Sequence, residues 1–245
     1  MIRNCFVLLV LASCGGAFGQ AVAPAVEPTT VPAVEPTTAP ASTQPAADMT
    51  TPKGTLRMFF AATDAGDEAG IRSLLLATTP TEEKLADTMA QMSASGFQLQ
   101  NAIKTAFGAD QAKAVLGDPL AAARIRDQFI ARINPQVNGD SAVVQLGGAN
   151  AAAIEFRKKG DDWKIRVGKV LENSKPEDVE NGLVAAGVQI KAMRDLTTEV
   201  AAGKFKSIED VKQTLDARVR QALMQYHQDK AKAATQPTTE PTTKP

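Results

Sequence analysis

The side chains behind most metal and nucleophile chemistry are scarce in this 245-residue chain, which has one His, one Trp, one Tyr and two Cys. Both Cys lie within the first 14 residues, so the rest of the chain offers His227 alone towards a zinc site, which needs Cys and His at short spacings. His227 follows Tyr226 near the end of the last expected helix, where a cation favours the helix dipole, and no motif partner for acid–base work accompanies it. No Gly-x-Ser-x-Gly, Walker loop, dinucleotide fingerprint or calcium loop occurs, so hydrolase, nucleotide and calcium readings lack their usual support and no cofactor is expected. Met58, Met89, Met92 and Met193 stand at helical spacings among aliphatic residues, which reads as core. Arg157, Lys158, Lys159, Lys164 and Arg166 read either as a basic patch for anionic partners or as the outer face of a half-buried sheet. Charge is balanced at 27 basic against 27 acidic residues, and nucleic acid is not an expected partner.

The amino end reads as an address. Arg3 precedes the apolar run Phe6 to Ala12 and then small residues, the three-part pattern of a secretory signal over residues 1–19. Leu11-Ala12-Ser13-Cys14 resembles the bacterial lipobox, which implies cleavage before Cys14, a lipid on its thiol and a membrane anchor. Gly15 and Gly16 follow with no Asp after the Cys, which under that resemblance points to the outer membrane. The alternative is an ordinary signal cut after Ala17-Phe18-Gly19, with a periplasmic or secreted product. Both readings take the protein out of the cytoplasm.

Residues 20–47 repeat Ala-Val-Glu-Pro-Thr-Thr, and residues 235–245 end in a similar Pro/Thr run. Nine of the 14 Pro residues fall in these tails, a density at which neither helix nor sheet ladder propagates. They read as spacers, the first holding the body away from a membrane. The body, 48–234, is long enough for one domain with its own core.

Within it, Thr51-Pro52 is an N-cap followed by Pro at the first helical position, and Leu56, Phe59, Phe60 and Thr63 follow at helical spacing towards Gly66. Asp67 caps a second helix burying Ile71, Leu74 and Leu75, and Thr79-Pro80 interrupts the chain. A third helix is expected from Thr81 towards Phe107, with Gly96 a candidate break, and a fourth from Asp118 to about Phe129. From Ile130 the period changes. Asn138-Gly139-Asp140 predicts a hairpin turn, and 154–167 gives two alternating strands with Trp163, Ile165 and Val167 on one face. Helices return after Pro176 and after Ser207, the latter a serine cap. The expected class is α+β: a helix-rich domain with a small antiparallel meander and two long C-terminal helices.

Two stretches carry a family resemblance. Thr55 to Leu75, with its aromatic pair and Ala65-Gly66-Asp67 turn, resembles the opening helix pair of the nuclear-transport-factor-2-like (SnoaL-like) superfamily. Asn138-Gly139-Asp140 through Trp163-Lys164-Ile165 resembles that superfamily's closing sheet. The resemblance implies a sheet curled into a cone around the first helices, with Trp163, Phe59 and Phe60 bordering a cavity at its mouth. It covers about half of the body, and residues 80–129 and 176–230 depart from it as added helix.

The expected function is that of an exported, lipid-anchored envelope protein acting as a binding or interaction module, with a small molecule or an envelope protein as partner. The alternatives are a small-molecule isomerase, cyclase or dehydratase, with an acid–base pair drawn from Asp64, Asp67 or Glu155, and a purely structural spacer. An enzyme requires a cavity with convergent polar groups, a binder a cavity or an apolar patch, and a spacer neither.

Overall fold

The computed structural model describes residues 48–145, 153–172 and 174–235. The signal segment, Cys14, residues 20–47 and residues 236–245 lie outside them.

Helix α1 (Pro52–Ala65) begins where a hydroxyl meets a proline: Thr51 Oγ1 accepts the Gly54 N–H at 3.0 Å, and Pro52 needs no partner for a missing N–H. It stops at Gly66, whose φ of 65° only glycine adopts freely. A Cβ there would also fall 2.3 Å from the Phe97 ring. Helix α2 (Glu68–Leu74) is capped by Asp67, which accepts the Gly70 N–H at 2.8 Å.

Helix α3 (Pro80–Phe107) starts before Thr81, because Thr79-Pro80 repeats the cap-then-proline pair of Thr51-Pro52 and opens a helix rather than interrupting the chain. Thr79 Oγ1 accepts the Glu82 N–H at 3.2 Å. Gly96 does not break it, and all 28 residues form one helix. A short helix α4 (Ala109–Leu116), set off by Gly108 and Gly117 at φ of 89° and 90°, was not anticipated. Helix α5 (Pro119–Arg132) has Asp118 accepting the Leu120 N–H at 3.0 Å and continues past Phe129, so 130–132 is helix and not the start of the sheet.

The sheet has five strands in the order β1-β5-β4-β3-β2. Strands β2 (Gln136–Asn138), β3 (Ser141–Gln145), β4 (Ala153–Lys159) and β5 (Asp162–Arg166) form the expected antiparallel meander, with Phe156 opposite Ile165 on one side and Ala142 on the other. The unanticipated member is β1 (Leu75–Leu76), which pairs parallel with β5. Alternation along β5 buries Trp163 and Ile165 and leaves Lys164 and Arg166 on the other face. A 3-10 turn (Val167–Val170) leads to α6 (Pro176–Ala201) and α7 (Ile208–Thr235), where Ser207 Oγ accepts the Asp210 N–H at 3.1 Å. The class is α+β, with two long C-terminal helices.

Two apolar clusters share α3. Its first half, with Ala86, Met89 and Ala90, packs against α1, α2, the sheet and the end of α5. Its second half, with Leu99 and Ile103, packs against Ile190, Met193, Leu196 and Val200 of α6 and Ile208 and Val211 of α7.

Candidate ligand cleft

The space between the opening helices and the Trp163 strand is occupied by side chains. Trp163, Phe59 and Phe60 are brought together there and are each 5–6% exposed, in the cluster that also holds Leu56, Phe156 and Ile165. The Phe59 and Phe60 rings meet edge to face, 6.0 Å between centroids. The Thr55 hydroxyl donates to the Trp163 carbonyl at 2.9 Å, and the Trp163 N–H donates to the Met49 carbonyl at 2.7 Å.

A cleft of about 310 Å³ opens instead on the other side of α1, between its last turns, the middle of α3 and the first turns of α5. Its walls are mainly apolar: Met89, Met92 and Phe97 from α3, and Pro119, Leu120 and Ala123 from α5. Gly96 makes the room. A Cβ built on it meets nothing within 4 Å, so this position faces open space and puts no side chain of its own into the cleft it lines. Leu120 is 68% exposed, although it forms a wall of this cleft. Thr63, Asp64, Ser93, Gln100, Lys104 and Arg126 supply the polar lining.

Several of these polar groups already have partners. Ser93 donates to the Met89 carbonyl at 3.0 Å and Thr63 to the Phe59 carbonyl at 2.8 Å. The Arg126 guanidinium pairs with Asp64 across α1 and stands over the Phe60 ring, 5.6 Å from its centroid. That clamp, with Lys53 Nζ donating to the Ala131 carbonyl at 3.4 Å, ties α5 to α1.

The three carboxylates considered for acid–base work are not brought to one place. Asp64 lines the cleft, bonded to Arg126, while Asp67 caps α2. Glu155 lies in a four-charge network on the outer sheet face, 2.9 Å from Arg166 and 3.1 Å from Lys169. Glu172 closes that network at 3.2 Å from Arg166 and 2.8 Å from Lys169. Hydrogen bonds to Glu172 and then Glu155 raise the Lys169 pKa above its ordinary value, and the Lys169 hydrogen bond lowers that of Glu172. Arg166 is thereby withdrawn from any basic patch, as is Lys164, which sits near Asp162 and the Met49 sulfur; Arg157, Lys158 and Lys159 remain exposed.

One buried carboxylate escaped the sequence reading. Glu82, 7% exposed, accepts from the Thr78 N–H at 2.6 Å and the Thr78 hydroxyl at 2.7 Å. Burial alone would raise its pKa, but the Thr78 hydrogen bonds and the Arg166 charge outweigh burial and lower it. The signal was present as Thr79-Pro80-Thr81-Glu82, the capping-box spacing, here with the carboxylate reaching one residue further back. His227 is exposed and meets the Tyr226 ring edge-on at 5.4 Å.

Among the described residues, no group of three or more His, Cys, Asp or Glu is placed to hold a metal ion. No helix among them is long and apolar enough to cross a membrane. No known family model, curated protein or solved structure matches this chain.

Proposed function

We propose that this is an exported, lipid-anchored binding module of the cell envelope, tethered through Cys14 and the Pro/Thr-rich segment 20–47, whose body takes an apolar ligand in the cleft beside Gly96. The observation that carries the reading is the cleft itself: about 310 Å³, walled by methionine, phenylalanine and leucine side chains and opened by a missing side chain in the middle of a long helix. Ligand sites are concave and mostly apolar, with a few placed polar groups, and volumes start at about 300 Å³. Methionine walls re-pack around ligands of varied shape. Kinship with the nuclear-transport-factor-2-like superfamily belongs to this proposal for the opening helix pair and the closing strands only, because the interior beside Trp163 is filled.

The test is a titration with N-phenyl-1-naphthylamine, a neutral apolar dye that brightens when sheltered from water. Saturable binding by the purified protein, abolished in Gly96→Leu, is expected. Binding that the Leu side chain leaves unchanged places the dye elsewhere and defeats the reading. The substitution itself replaces a poor helix former by a good one, and it is not expected to harm the fold.

A further inference from the structure

We infer that the cleft is selective for a single-chain acyl carboxylate, whose head is held by Gln100 and Lys104 and whose tail runs over Gly96 towards Met89; the inference rests on the binding reading above. Met89, Ser93, Gly96, Gln100 and Lys104 follow one another at spacings of three and four along α3, so they form a single stripe on one face of the helix, and all line the cleft. At about 1.5 Å per residue the stripe is about 22 Å long, more than an extended twelve-carbon chain needs.

Its two ends differ in chemistry. The stripe begins at the apolar Met89, and of the two cations that line the cleft Arg126 is neutralised by Asp64. At the other end the Gln100 amide and the Lys104 ammonium have no hydrogen-bond or ion-pair partner among the described residues, whereas the Thr63 and Ser93 hydroxyls are bonded to main-chain carbonyls. The unspent capacity of the cleft's side chains is therefore one positive charge and one carboxamide, four residues apart on one face of α3. Lys104 lies in the last turn of α3, beside the carbonyl end of the helix. A carboxylate with two acceptor oxygens satisfies both groups, an alcohol does not complement the charge, and a quaternary ammonium repels it. The volume, at the small end of ligand sites, fits one chain and not two.

Calorimetric titration of the purified protein with dodecanoate, dodecanol and dodecyltrimethylammonium tests this. Dodecanoate is expected to bind about tenfold or more tightly than dodecanol, as a charge-assisted hydrogen bond implies, and the ammonium to bind most weakly. In Lys104→Gln, dodecanoate is expected to fall to the affinity of dodecanol, with dodecanol unchanged, and in Gly96→Leu all three are lost. Equal affinities of the unmodified protein for dodecanoate and dodecanol overturn the carboxylate selectivity while leaving apolar binding intact. Absence of binding by all three overturns both.

Discussion

The Thr55 hydroxyl donates to the carbonyl of Trp163 at 2.9 Å, joining the first helix to the fifth strand across what a hollow cone would leave open. Next along the same strand edge, β1 pairs with Ile165 and Arg166, and the Met49 carbonyl takes the Trp163 N–H. The edge of β5 is thus closed by three different partners, and the aromatic side chains beneath it pack into the buried apolar cluster.

Replacing Thr55 with Val keeps the volume but leaves the Trp163 carbonyl without its donor in a buried place. The expected loss is about 1–2 kcal/mol of unfolding free energy. Trp163 is the only Trp, so its fluorescence follows the unfolding directly in a denaturant titration. An unchanged midpoint would show that the bond contributes nothing.

Gly168 lies against Glu82 so closely that a Cβ would come 2.1 Å from Oε1. That carboxylate is pinned by two hydrogen bonds to Thr78 and has little freedom to withdraw. Gly168→Ala is therefore expected to destabilise by about 1–3 kcal/mol, the usual range for overpacking, against a stabilising effect for Gly96→Ala. Thermal melts of the two variants side by side check the contrast.

Glu82 also links stability to acid. Its pKa in the folded protein is held below the ordinary 4.5: burial opposes this, and the Thr78 hydrogen bonds and Arg166 prevail. A depressed carboxyl contributes stability that is complete above the unfolded value and is lost as pH falls through the folded one. Glu82→Gln is expected to lose about 1–3 kcal/mol at neutral pH. The gap between parent and variant should then narrow as pH falls below about 4.5. A gap that stays constant down to pH 3 would contradict the assignment.

If Cys14 carries the lipid, cells expressing the tagged chain and fed an alkyne-bearing palmitate should label it, and Cys14→Ser should remove both the label and the membrane association. An unlabelled protein that begins after Gly19 would favour the ordinary signal instead.

Most of the helices were legible because their ends carry local chemistry: Thr51-Pro52, Asp67, Asp118 and Ser207 all cap as their residue types predict. The strands were legible because Trp163-Lys164-Ile165 alternates and Gly139 and Gly160 mark the turns. Leu75–Leu76 escaped because two residues hold no period, and its pairing with β5 is set by distant packing. Gly96 is a candidate break by propensity, which speaks only of the backbone, whereas in the fold it faces space that α1 and α5 enclose. The cleft was illegible for the same reason, since its walls come from three helices separated in sequence.

Methionine methyl groups give the most direct test of that cleft. With methyl-labelled methionine, carbon–proton spectra recorded while dodecanol is added should show the Met89 and Met92 signals moving together to saturation, with buried Met193 and exposed Met224 still. Movement confined to Met224, or equal small drifts of all the methionine signals, would contradict a ligand site beside Gly96.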